Sequence, residues 1–189
     1  MELNLPNQIT IARLAVSLAI FALLPFRLYT PALICFVVAA GTDWLDGYLA
    51  RKYQLVTQLG RILDPFADKI LVCGTFIFLA AEPDSCLTPW MAVLVVGREM
   101  LVTGLRSFLE QQGADFSAMM AGKLKMVFQC LAVVLSLLLL RKLKAGELPP
   151  SWLKPATQGA VWLAILSTVY SGAEYVQTAA RLLRGKSAS

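Results

Sequence analysis

Four aspartates, Asp43, Asp46, Asp64 and Asp68, fall within 26 residues of a chain that is otherwise mostly apolar. On a helix, a spacing of three puts Asp43 and Asp46 on one face, and a spacing of four does the same for Asp64 and Asp68. Gly47 and Gly60 lie among them, where backbone can come close to a ligand. Two adjacent helices can therefore point four carboxylates at one spot. Uncompensated, these charges repel and are costly to desolvate, so the arrangement calls for cations. Hard oxygen donors suit Mg²⁺, Mn²⁺ or Ca²⁺, and Mg²⁺ often combines carboxylates with substrate phosphates. Three uses are open to such a cluster: metal-assisted catalysis, conduction as in a divalent-cation transporter, or structural pairing with Arg51, Arg61 and Lys69. Pairing explains one or two of the acids but struggles with four at helical spacing. The chain has no histidine, which removes the commonest general base and leaves acid–base work to carboxylates, Lys, Tyr or Cys.

The elements that must position these acids are apolar. Of 189 residues, 58% are hydrophobic, and the mean hydropathy is +0.66. This composition predicts an all-α polytopic membrane protein, one domain over 1–189 with about six spans of roughly 20 residues each. The segments expected are 9–24, 31–51, 59–81, 89–109, one from 123 to 140 and 156–173. The carboxylates thus come late in the second helix and early in the third, so an antiparallel hairpin sets both pairs at one depth. Asn7, Thr10 and Arg13 recur every three residues and form a polar stripe on the first helix. That stripe fits either a site or a helix cap with a snorkelling arginine.

The net charge of +5 could suggest nucleic acid, but the basic residues flank apolar runs. Anionic lipid headgroups and anionic substrates fit better than nucleic acid. Placement of Arg13, the Arg51-Lys52-Arg61 group, Lys123, Lys125 and the tail predicts one cytoplasmic side with both termini inside. Arg27, the basic cluster at 141–144 and Lys154 fall on the other side and run against that rule. Cys35, Cys73, Cys86 and Cys130 show no C-x-x-C pairing and read as small hydrophobes. The opening Met1-Glu2-Leu3-Asn4 lacks a basic leader and cleavage site, so the first apolar run is expected to stay as a helix.

The pattern Asp43-x-x-Asp46-Gly47-x-x-Ala50-Arg51, eight residues, then Gly60-x-x-x-Asp64-x-x-x-Asp68 resembles the signature of the CDP-alcohol phosphatidyltransferase family. All eight fixed positions match at the right spacing. The resemblance implies a six-helix fold, transfer of a substituted phosphate from a CDP-linked donor to an alcohol, and release of CMP. It implies that Asp43, Asp46 and Asp64 hold one or two divalent cations, Mg²⁺ or Mn²⁺, with Asp68 contributing and serving as general base. It also places Asn7, Thr10, Arg13, Asp43, Gly47, Ala50, Arg51 and Gly60 near the CDP donor. For Ala50 and Gly60, close helix packing is an equal alternative.

The stretch Gly97-Arg98-Glu99-Met100-Leu101-Val102-Thr103-Gly104-Leu105-Arg106, with Ala121-Gly122-Lys123-Leu124-Lys125-Met126, is similar to bacterial members that take glycerol 3-phosphate as acceptor. Such a dianion needs cations, which Arg98, Arg106, Lys123 and Lys125 can supply, with Glu99 orienting an arginine. The resemblance thus implies CDP-diacylglycerol and glycerol 3-phosphate as substrates, a homodimer and a bacterial cytoplasmic membrane with the site facing the cytoplasm. A sister enzyme using inositol phosphate, serine or phosphatidylglycerol is the nearest alternative.

Overall fold

The computed structural model describes residues 5–53, 58–111 and 120–186, with the side chains of 43–53, 58–65 and 68 and a few near helix ends outside the description. Six helices carry the fold: α1 (Leu5–Leu23), α2 (Tyr29–Tyr53), α3 (Gln58–Ala80), α4 (Pro89–Gln111), α5 (Met120–Lys144) and α6 (Leu153–Lys186). A single 3₁₀ turn, Pro83–Ser85, interrupts the α3–α4 connection. Short connections make successive helices antiparallel. Around the bundle the packing order is α1, α2, α5, α6, α4, α3 and back to α1, with α3 also touching α5 across the middle. The sequence-based segments match in number and order, but two boundaries differ. The basic stretch Arg141–Lys144 continues α5, and α6 runs through the tail to Lys186. Charged side chains reach water from a continuing helix as readily as from a coil, so polarity alone does not mark where the helix stops.

Polarity across the bundle is reversed relative to a water-soluble domain. Thr10, Arg13, Ser17, Thr75, Glu99, Lys125, Gln129, Ser136, Thr168 and Ser171 are buried. Large apolar side chains on every helix are exposed, among them Leu18, Val38, Ile77, Val93, Val127 and Leu166. An exposed apolar surface on this scale requires a covering, and a lipid bilayer supplies one all round. Within the helices, buried hydroxyls donate back to the preceding turn: Ser17 to Arg13 O at 2.8 Å, Thr75 to Leu71 O at 2.7 Å and Thr168 to Ala164 O at 2.6 Å. Among the described residues one stretch, Leu124–Lys144, is long and apolar enough to cross a membrane, with a mean hydropathy of 2.0. Thr10–Leu23, Tyr29–Thr42 and Lys69–Ala80 are shorter apolar runs.

The main core comprises Ile20, Phe36, Phe76, Leu79, Val95 and Leu137 with their neighbours. A smaller cluster of Val102, Leu109, Tyr175 and Ala179 holds the C-terminal part of α4 to α6. All four cysteines are free and half-buried against the main core, as small hydrophobes should be.

Candidate active site

Backbone register puts the four aspartates at matching depths. Asp43 lies ten residues before the end of α2, and Asp68 lies ten residues after the start of α3. Asp46 and Asp64 lie seven and six residues from those same ends. At about 1.5 Å rise per residue, the outer pair sits about 15 Å and the inner pair about 10 Å from the α2–α3 connection. Five peptide steps join Tyr53 to Gln58, so the two helix ends lie no more than about 18 Å apart. Gly47, Ala50 and Arg51 share this part of α2, and Gly60 opens α3. The side chains of all these residues, and of Asn7 and Lys123, lie outside the described residues. An oxygen-only donor set on two helices fits a hard divalent cation in its chemistry. Among the described residues there is no group of three or more His, Cys, Asp or Glu that could hold a metal.

α1 packs against both α2 and α3. Thr10 and Arg13 are each 2% exposed, so the stripe faces the interior and not the lipid. A small cleft between α1 and α3, lined by Thr10, Ile11, Leu14, Phe66 and Ala67, places Thr10 beside the turn of α3 that carries Asp68.

The basic residues of α4 and α5 form a buried network. Arg98 Nη1 donates to Glu99 Oε1 at 3.0 Å, and Nη2 donates to Ser171 Oγ on α6 at 3.0 Å. The Arg98 guanidinium carbon stands 5.5 Å from the Tyr175 ring centroid, a cation–π distance. Lys125 Nζ on α5 donates to the same Glu99 Oε1. The side chains of Arg98, Glu99 and Lys125 are 9%, 10% and 7% exposed, so none snorkels to an interface. Gly172 leaves the space that Arg98 occupies, since a Cβ there would come within 3.2 Å of Arg98 Cγ.

Lys69, one residue after Asp68, donates to Thr103 Oγ1 at 2.5 Å, and that hydroxyl donates to Glu99 O at 2.6 Å. The network therefore joins α3, α4, α5 and α6. Arg106 lies further along α4 and is partly buried. Sequence reasoning offered Lys69 only as an ion partner of the acids and gave no role to Thr103, Ser171 or Tyr175. Lys69 beside an acid reads as its ion partner, and the others become polar contacts only once α6 is packed on α4.

Six helices carry paired acids at matching backbone depths on α2 and α3, and a buried basic network reaches α3 through Lys69. The chain belongs to the CDP-alcohol phosphatidyltransferase family, whose model matches residues 3–172. It is 42% identical over 188 residues to a CDP-diacylglycerol–glycerol-3-phosphate 3-phosphatidyltransferase of Bacillus subtilis (strain 168), covering 91% of this chain and 93% of that one. Proteins of the same name from Rickettsia bellii (strain RML369-C) and Escherichia coli (strain K12) are 37% and 32% identical. These alignments cover 91% and 95% of this chain, and 93% and 96% of the relatives.

Proposed function

We propose that this protein transfers the phosphatidyl group of CDP-diacylglycerol to glycerol 3-phosphate, giving phosphatidylglycerol phosphate and CMP. The observation that carries the reading is similarity at 42% identity, across nine-tenths of both chains, to a protein named for that reaction. The buried Arg98–Glu99–Lys125 network supports it, because a phosphorylated acceptor needs cations on the chain itself.

In this reading Asp43, Asp46 and Asp64, with Asp68 contributing, hold one or two divalent cations, Mg²⁺ or Mn²⁺. The bound cation supplies charge neutralisation on the donor's diphosphate. Asn7, Thr10, Arg13, Gly47, Ala50, Arg51 and Gly60 surround the CDP moiety. Arg98, Arg106, Lys123 and Lys125 bind the acceptor phosphate. Asp68 takes the proton from the terminal hydroxyl as its oxygen attacks the lipid-linked phosphorus. The bond from that phosphorus to the bridging diphosphate oxygen breaks, and the electron pair leaves with CMP. One direct displacement suffices, since the motif offers acids and no separate nucleophile. A covalent adduct trapped from the donor alone would refute this step.

The same proposal gives each of the six helices a membrane span, with both termini and the acidic end at the cytoplasmic face of a bacterial inner membrane. It includes a homodimer, expected from the family resemblance.

The test is CMP release from CDP-diacylglycerol in detergent, with Mg²⁺ or Mn²⁺, across a panel of acceptors. Glycerol 3-phosphate alone should drive release, chelation should stop it, and Asp68→Asn should lower kcat by about 10²–10⁴-fold. Release driven instead by inositol phosphate or serine would overturn the acceptor assignment. Metal movement into liposomes without CMP release would overturn the transferase itself.

A further inference from the structure

Among the described residues, Glu99 is the one acid in the hydrogen-bonded network, and its position raises a question that the acceptor assignment leaves open. A phosphate pocket gains nothing from a carboxylate unless that carboxylate does something for the cations. Here a single oxygen, Oε1, receives Arg98 from the same helix and Lys125 from α5. Without Glu99, two buried cations would face each other with no counter-charge, and both repulsion and desolvation would drive them apart. Arg98 is fixed on its other side by Ser171 Oγ and the Tyr175 ring, both on α6. Among the described residues, Lys125 has no such second anchor. Glu99 therefore holds Lys125 in register with an arginine that α6 already fixes.

The network is also incomplete in a telling way. Arg98 Nε is buried and has no acceptor among the described residues. A buried donor of this kind normally finds a partner, and beside two fixed cations an anionic oxygen is a fitting one. Among the described residues, two cations meet one carboxylate, and Lys69, held through Thr103 to the backbone oxygen of Glu99, adds another cation nearby. The local balance of the described groups is positive, the sign that a phosphate requires.

We propose that Glu99 is a positioning residue for the acceptor. It does not touch the reacting atoms; it pre-sets Arg98 and Lys125 as a fixed pair that receives the acceptor's phosphate. This inference rests on the acceptor reading given above. Because the pair is assembled before substrate arrives, little ordering cost remains at binding, which is how preorganised charges gain affinity.

Steady-state kinetics of the full-length protein in mixed micelles separate the possibilities. The wild type is measured first: if it releases no CMP with glycerol 3-phosphate, the underlying function fails and Glu99 is not at issue. Given an active wild type, Glu99→Gln should raise KM for glycerol 3-phosphate by roughly tenfold or more, the scale of one charge-assisted hydrogen bond. KM for CDP-diacylglycerol and kcat should stay within about threefold, a split expected when the lost interaction holds the acceptor equally in the ground and transition states. In a double-mutant cycle, Glu99→Gln with Lys125→Gln should be little worse than Lys125→Gln alone, because both remove one unit. An unchanged acceptor KM, additive effects, or a fall in KM on removing the carboxylate would each overturn the proposal. If Glu99→Gln loses its melting transition, Glu99→Asp takes its place. Its shorter carboxylate cannot reach both partners, so the acceptor KM alone should rise, and an unchanged KM overturns the inference.

Discussion

At Gly74 on α3, a Cβ would run into the ring of Phe21 on α1, and that ring in turn stacks on Phe78 with centroids 5.5 Å apart. The missing side chain is what lets α1 and α3 approach closely, and their approach sets the cleft beside Asp68. Gly74→Ala would push the Phe21 ring off its partner without opening a cavity. Overpacking of this kind costs about 1–3 kcal/mol. A thermal melt in detergent should show a clear drop, while Gly159→Ala, which meets open space, should melt close to the wild type. At this scale, the candidate acids were legible as a pattern. The aspartates declare themselves by type and spacing, because a helix repeats every 3.6 residues whatever surrounds it. The partners of Glu99 were legible only in part. The sequence offered an arginine without saying which, and the structure has Arg98, which reaches back from about 100° around the helix, together with Lys125, which arrives on α5. A contact between helices is written in their packing order and not in either segment.

Two helix ends in the same half of the molecule show how local chemistry closes an element. After α1, Arg27 N donates to Leu24 O and Leu28 N to Leu23 O; after α5, Gly146 N donates to Leu143 O and Glu147 N to Lys142 O. These are the paired bonds of a Schellman cap, with the residue at the turn in left-handed conformation: Arg27 at φ 57° and Gly146 at φ 69°. Glycine adopts that conformation freely and arginine does not. The Arg27 side chain offers little in return, being 65% exposed and 3.8 Å from Glu82. Gly146→Ala should therefore lower stability by about 1 kcal/mol, and Arg27→Gly should hold or raise it by a similar amount. Opposite shifts in melting temperature would show this, and equal losses would mean that Arg27 is held by more than its cap. The existence and order of the elements were legible from apolar runs and prolines. The length of α6 was not. Its 34 residues span about 51 Å, well beyond a hydrocarbon core of about 30 Å, so hydropathy marks only part of the helix.

For the molecule as a whole, antiparallel succession places the acid-bearing ends of α2 and α3 together with the start of α1 and the end of α6. Arg27, the 141–144 cluster and Lys154 gather at the opposite end, where they run against a simple count of basic residues. The structure gives a reason for that conflict. Lys144 Nζ donates to Arg27 O at 2.8 Å, Arg27 faces Glu82, and Lys142 bonds Glu147. Two of the five cations there, Lys144 and Arg27, thus tie different connections together, which sequence could not show, while Lys142 pairs within its own connection. If the remaining charges at the acidic end set the orientation, that end is cytoplasmic, where a CDP-linked donor and a soluble sugar phosphate meet it. The prediction is made with single cysteines in a background where Cys35, Cys73, Cys86 and Cys130 are replaced by alanine. Ser151 lies before α6 and Ala180 near its end, both exposed, and 27 helical residues separate Leu153 from Ala180, about 40 Å. A membrane-impermeant maleimide should label Ser151→Cys in intact cells and Ala180→Cys only after the membrane is opened. The reverse pattern would put the acids outside, away from both substrates, and labelling of both from outside would mean that α6 does not cross.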